Sequence, residues 1–425
     1  MEIESLLSNL VQIQSVNPPG GETEVAKYLK SVFDEHHIPN EIIESKPGRG
    51  SFFAYLGEGE RSLLYAAHLD VVPVSDGWRF APFSGEIKDG FVYGRGTLDC
   101  KGLVAAEAYA MIQLAKSGKL NGRLIFVAGA DEEDDSKFGV EYLVKNHKDK
   151  LMADFAINEG GRPPLKIGDK ICHFPQIGEK GVCWMKLKAK GVSTHGSLPM
   201  FGDNAVIKMA EVIKKLSEYQ PRTTLIPEVK QLIQGVAQLE GHDVDINEEN
   251  VDQILTKLKD RFLSGYLTAT TRMTVSPNVV QGGAKTNIIP DSCKAEVDIR
   301  MLPGQDEKYI VDQLSSVIGN LEREIIQFHA PTFSTTDSEY YRVFQDTMKE
   351  SLGDVVILPC ISTGATDSRY LREIGIPSYG INMMTLYWDD EMRQAVHGKN
   401  ERLDIDSLKL KSDFLIKLAR RYLGG

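Results

Sequence analysis

The sequence predicts an α/β protein, a mostly parallel sheet sandwiched by helices and interrupted by an inserted α+β domain. Three observations carry that prediction. Short apolar runs alternate with helical segments through the first 180 or so residues. The middle of the chain switches to strands that alternate apolar with charged residues. After about residue 330 the first style returns, as expected of a domain that is interrupted and then resumed.

The parallel part rests on the runs 62–67 (SLLYAA), 123–130 (RLIFVAGA) and 154–158 (DFAIN), which suit buried strands. Between them, 103–117 is almost wholly apolar and Ala-rich, and 138–147 reads as a second helix. In the middle, 182–190 (VCWMKLKAK) and 294–300 (KAEVDIR) have the period of strands with one wet face. Segments 204–216 and 306–321 place apolar residues at helical spacing, so an antiparallel sheet with two helices on one side is expected. A polar helical insertion spans roughly 219–269. Near the end, 376–382 (IPSYGIN) reads as a strand and 406–423 as a closing helix stopped by Gly424 and Gly425. The expected division is 1–180 with 330–425 as one discontinuous domain and 181–329 as the insert.

Composition narrows the class. The net charge of −11, from 60 acidic against 49 basic residues and with no basic run, argues against a nucleic-acid partner. No stretch approaches the ~20 apolar residues of a membrane span, and the acidic N-terminus lacks signal-peptide character. The five cysteines are scattered and never at C-x-x-C spacing, which disfavours both a disulfide framework and a thiolate zinc site. The cytoplasm is the expected address.

Ligands of open α/β sheets bind beyond the carboxyl ends of the strands. SLLYAA runs into His68-Leu69-Asp70, RLIFVAGA into Asp131-Glu132-Glu133, and DFAIN into Glu159-Gly160-Gly161. The loop holding Asp99 precedes the apolar helix, and a loop after IPSYGIN leads to His397. Imidazoles mixed with carboxylates suit Zn²⁺ or a related metal, whereas Ca²⁺ takes oxygen alone. Five such ligands are too many for one zinc with an open position, but enough for two ions bridged by one carboxylate. Two ions about 3.5–4 Å apart can share a hydroxide and polarise a carbonyl. The remaining carboxylate can take the water's proton. Asp70 stands where it can hold the far nitrogen of His68. Each element alone is weak: His-x-Asp recurs by chance, DEEDD reads as a solvated loop, and EGG and GRG as turns. Their order and their common side of one sheet carry the inference.

The order HLD, GRGTLDCKG, DEE, NEGG and AVHG resembles the di-zinc metallopeptidases that include aminoacylase, bacterial glutamate carboxypeptidase, carboxypeptidase S and succinyl-diaminopimelate desuccinylase. The resemblance covers essentially the whole chain. It implies a zinc-peptidase-like domain with an inserted lid of four antiparallel strands and two helices. It implies two Zn²⁺ per chain, with Co²⁺ or Mn²⁺ as possible substitutes. His68 and Glu159 would hold one ion, Glu133 and His397 the other, and Asp99 would bridge them. Glu132 would be the general base. The lid would form a homodimer and supply His195 to the partner's oxyanion, while Asn287 and Arg300 would grip a substrate carboxylate. Arg300 also suits that task by residue type, since a guanidinium fork matches a carboxylate, although pairing with Asp298 or Glu296 is an equally simple reading. The other histidines match no motif, and Cys100 is read as a small buried side chain.

The expected function is hydrolysis of an amide bond beside a free carboxylate, in an N-acyl amino acid or a short peptide. Desuccinylase or acetylornithine deacetylase activity is the alternative. A non-catalytic binder of an amino-acid-like ligand has no use for Glu132. A mono-zinc peptidase is disfavoured by the absence of H-E-x-x-H.

Overall fold

The computed structural model describes residues 2–386 and 390–424. The chain divides into two compact units: Met1–Ile177 with Ser334–Cys360 and Thr366–Gly425, and Gly178–Phe333 with Ile361–Ala365.

The first unit is built on a sheet whose strands lie in the order Asn40–Glu44, Gly50–Leu56, Arg123–Gly129, Ser62–His68, Phe155–Glu159 and Ser378–Ile381. The first two run antiparallel to their neighbours, and the last four are mutually parallel. Ser62–His68 is buried at every residue, as a central strand covered on both faces must be. Its residues are not especially β-prone, so parallel neighbours on both sides fix its state. Because the four strands point one way, His68 lies opposite Gly129, and Glu159 opposite Ile381, at one edge. The helix Lys101–Ser117 packs against the closing helix Ile405–Leu423, and its apolar girth reflects burial nearly all round.

The second unit carries a four-stranded antiparallel sheet in the order Thr274–Gly282, Ser292–Met301, Gly181–Lys190, Glu322–His329. Cys183, Met185, Leu187, Ala295, Val297 and Ile299 form one face. They pack with Met209, Val212, Leu216, Ile310 and Leu314 from the helices Ala205–Glu218 and Glu307–Ile318. Both helices start where a side chain caps them, Asn204 accepting from Val206 and Ile207, Asp306 from Tyr309. The second helix stops at Ile318, earlier than its apolar pattern suggests. Gly319 takes a left-handed φ of 62°, and Leu321 leads into the strand Glu322–His329.

The insertion, polar by composition, folds as the helices Pro227–Leu239, Val251–Leu255 and Arg261–Thr270. Leu232, Ile233, Val236, Ile254, Leu263 and Leu267 are buried among them, so a thin apolar stripe suffices. Among the described residues no helix is long and apolar enough to cross a membrane.

Candidate active site

His68 closes its strand and is buried. Its Nε2 lies 3.0 Å from Asp99 Oδ1 and 3.5 Å from Glu159 Oε1. The other oxygen of Asp99 is 3.2 Å from His397 Nε2, which is in turn 3.1 Å from Glu133 Oε2. Asp99 therefore stands between two imidazoles with one oxygen toward each. Glu159 flanks one side and Glu133 the other.

The local backbone explains how the acids are presented. Glu159 ends the strand Phe155–Glu159. Glu132 and Glu133 sit on a single 3₁₀ turn bracketed by Asp131 (φ 67°) and Asp135 (φ 71°), both left-handed. Aspartate tolerates that region better than most residues. The turn aims its first N–H groups at the Asp70 carboxylate, Glu132 N at 3.1 Å and Glu133 N at 3.0 Å, and the Asn17 amide adds a third donor at 2.8 Å. The Asp70 carboxylate is thus chiefly an anchor for the turn. The oxygen nearest His68 Nδ1 is the Asp70 backbone carbonyl at 3.0 Å, with the carboxylate at 3.4 Å.

Charges in this cluster are strongly perturbed. Burial, reinforced by Glu159, drives the Glu132 carboxyl well above the usual range. Burial and the neighbouring acids push Glu159 up to about 8. His397 rises to about 10 because it hydrogen-bonds Asp99 and Glu133. For Asp99 burial works upward, but hydrogen bonds from His397 and His68 outweigh it and hold the carboxyl below its ordinary value. Ligand atoms of His68, Asp99 and Glu133 lie within 4.8 Å of one another, as do those of His68, Cys100 and Glu159. Cys100 is buried, and its Sγ accepts the His68 backbone N–H at 3.2 Å.

His195, Asn287 and Arg300 belong to the second unit. His195 is exposed, with Nδ1 2.8 Å from Ser197 Oγ. Its loop lies beside that of Asn287, Gly196 N donating to Asn287 O at 2.8 Å. Arg300 is closed on Asp298 through Nε at 2.7 Å and Nη2 at 3.0 Å.

Further residues hold the acidic turn that the motifs alone do not single out. At one end, buried Arg49 pairs with Glu22 (3.0 Å) and Asp131, and reaches the Asn17 side chain. At the other, Arg369 pairs with Asp135 at 2.5 Å, and Ser136 bonds Asp367. The chain does carry a cue, since Asn17 lies in NPPG and Asp367 and Arg369 in GATDSR, but these are distant in sequence from the turn they support.

A family model, peptidase family M20/M25/M40, matches residues 64–421. A Dictyostelium discoideum protein described as a probable carboxypeptidase S-like protein is 31% identical, over 87% of this chain and 73% of that one. A Staphylococcus aureus protein described as a probable succinyl-diaminopimelate desuccinylase is 28% identical, over 85% and 84%. The solved structure of a metallo-carboxypeptidase of that family from Sulfolobus solfataricus superposes with a TM-score of 0.76 at 22% identity, covering 99% of both chains.

Proposed function

The chain belongs to peptidase family M20/M25/M40 and is a metal-dependent hydrolase of amide bonds, and from that premise we propose its site, metals and substrate class. Two divalent ions, zinc in the first instance, would be held by His68 with Glu159 and by His397 with Glu133, with Asp99 shared between the two positions. The observation that carries this reading is Asp99 with one oxygen toward each imidazole.

The residues fit such ions. Imidazole nitrogens and carboxylate oxygens are zinc donors. Among the described residues Glu133 Oε1 is buried with no hydrogen-bond partner, as expected of an oxygen kept for a cation. Buried acids that hold protons tightly here would lose them to solvent as a divalent ion took their place. Bound ions would polarise the scissile carbonyl and lower the pKa of the attacking water.

The chain's own groups do the rest. Glu132 takes the proton from the water and later gives it to the leaving amine. Its raised affinity for a proton suits that exchange. Asp70 fixes the turn that presents Glu132, and its carbonyl and carboxylate orient His68. Arg300, by exchanging Asp298 for substrate, and Asn287 bind the free carboxylate. His195 of the partner subunit stabilises the oxyanion. Exposed Leu198, Met200 and Phe201 close to His195 support a homodimer through this unit. The same reading puts the enzyme in the cytoplasm, supported by five free buried cysteines.

The substrate is an N-acyl amino acid or a short peptide with a free C-terminus. The relative described as a desuccinylase keeps succinyl-diaminopimelate as the alternative. The test is turnover, by metal-loaded protein, of N-acetyl amino acids, dipeptides, C-terminally blocked peptides and N-succinyl-diaminopimelate. Cleavage of unblocked compounds alone supports the reading. Cleavage of blocked peptides at equal rates, or of nothing, refutes it.

A further inference from the structure

One buried ion pair ties together the two loops that carry Asp99 and His397. Arg95 and Glu401 are 1% and 0% exposed, and Arg95 Nη1 lies 2.6 Å from Glu401 Oε2. The same carboxylate accepts three backbone N–H groups from the loop leading to Asp99: Gly96 at 2.9 Å, Leu98 at 2.7 Å and Asp99 itself at 3.1 Å. The Arg95 guanidinium donates to carbonyls on either side of His397, Gly398 at 2.6 Å and Ala395 at 3.4 Å. Its plane rests over Trp78, 5.2 Å from the ring centroid.

Burying two charges is costly, and an apolar pair of the same size would usually stabilise as well. The arrangement makes sense as geometry rather than as stability. His68 and Glu159 are held by sheet ladders, whereas Asp99 and His397 sit on irregular backbone, His397 with a left-handed φ of 57°. Among the described residues no strand carries either of those two. The Arg95–Glu401 pair, with each member gripping the backbone of one loop, can fix their spacing.

We propose that Arg95 and Glu401 are positioning residues that set the spacing of Asp99 and His397. They thereby govern the affinity of the metal position formed by Asp99, Glu133 and His397. The inference rests on the two-metal reading above, and the test separates the two.

The probe is cobalt(II), titrated into metal-free protein and withdrawn with a competing chelator. Its visible absorption reports each position. Wild-type chain should bind two ions. Glu401→Gln and Arg95→Lys should each weaken one of them by roughly ten- to hundred-fold, the scale of lost support to metal ligands, and disturb the other far less. The weakened ion must be the one that His397→Ala abolishes. Should Glu401→Gln fail to fold, Arg95→Lys, which keeps the charge, decides alone. Unchanged affinities in the folded variants overturn the clamp and leave the metal reading standing. An equal loss at both positions, tracking a lower melting temperature of the metal-free chain, overturns it too, because that marks general loosening. Fewer than two ions on the wild-type chain overturns the metal reading and the clamp together.

Discussion

The two largest sheets among the described residues bury their residues differently, and polar chemistry ends up in different places as a result. Ser62–His68 is buried along its whole length, while Gly181–Lys190 and Ser292–Met301 alternate buried with half-exposed or exposed positions. A strand covered on both faces can place polar groups cheaply only at its ends. His68 and Glu159 at two such ends are therefore informative. A strand with a wet face can carry charge anywhere. Arg300 on such a strand pairs with Asp298, and neither residue nor pairing identifies a substrate by itself.

That contrast can be broken by substitution. The largest expected effect is at the buried edge. Glu132→Gln should lower kcat by about 10²–10⁴ with both metals retained, measured as steady-state turnover beside metal content. Retained turnover would remove Glu132 from the reaction. Next comes the sheet itself. Leu64→Ala, at a fully buried position, should cost about 2–5 kcal/mol in urea unfolding. Lys188→Ala on the wet face should leave the unfolding midpoint where it is, since its partner Glu324 is solvent-exposed. Arg300→Ala should raise KM roughly ten- to hundred-fold for substrates with a free carboxylate, at little change in kcat, the scale of a charged hydrogen bond. An unchanged KM would leave Arg300 as the surface partner of Asp298.

A further effect is one of pH. Lys180 is buried in the second unit and donates to Ala269 O, Arg272 O and Thr274 Oγ1, and burial pushes its Nζ down to about 7. An unfolded lysine keeps its proton to about 10.5. Between those values the unfolded chain binds the extra proton, so this group makes stability rise with pH there. Lys180→Met should flatten that part of the stability–pH curve, and an identical slope in the variant would contradict it.

The parallel sheet and the edge that carries His68, Glu132, Glu133 and Glu159 were legible because apolar runs end abruptly in ligand-type residues. The antiparallel sheet was legible from its period of two. Less visible was whatever depends on contacts between distant segments. Nothing near Asp131 in sequence announces Arg49, and nothing in GRGTLD announces Glu401, more than 300 residues on. The insertion shows the same limit. Its composition reads as polar, yet burial of a few leucines and isoleucines gives it a core that only the folded arrangement reveals.

The most direct test of the central claim is a crystal structure of zinc-loaded protein with anomalous scattering measured at the zinc edge. Two peaks about 3.5–4 Å apart, one on each side of Asp99 and neither bonded to Glu132, are the expected result. A single peak, or one with Glu132 as a ligand, would contradict the assignment of Asp99 as bridge and Glu132 as base.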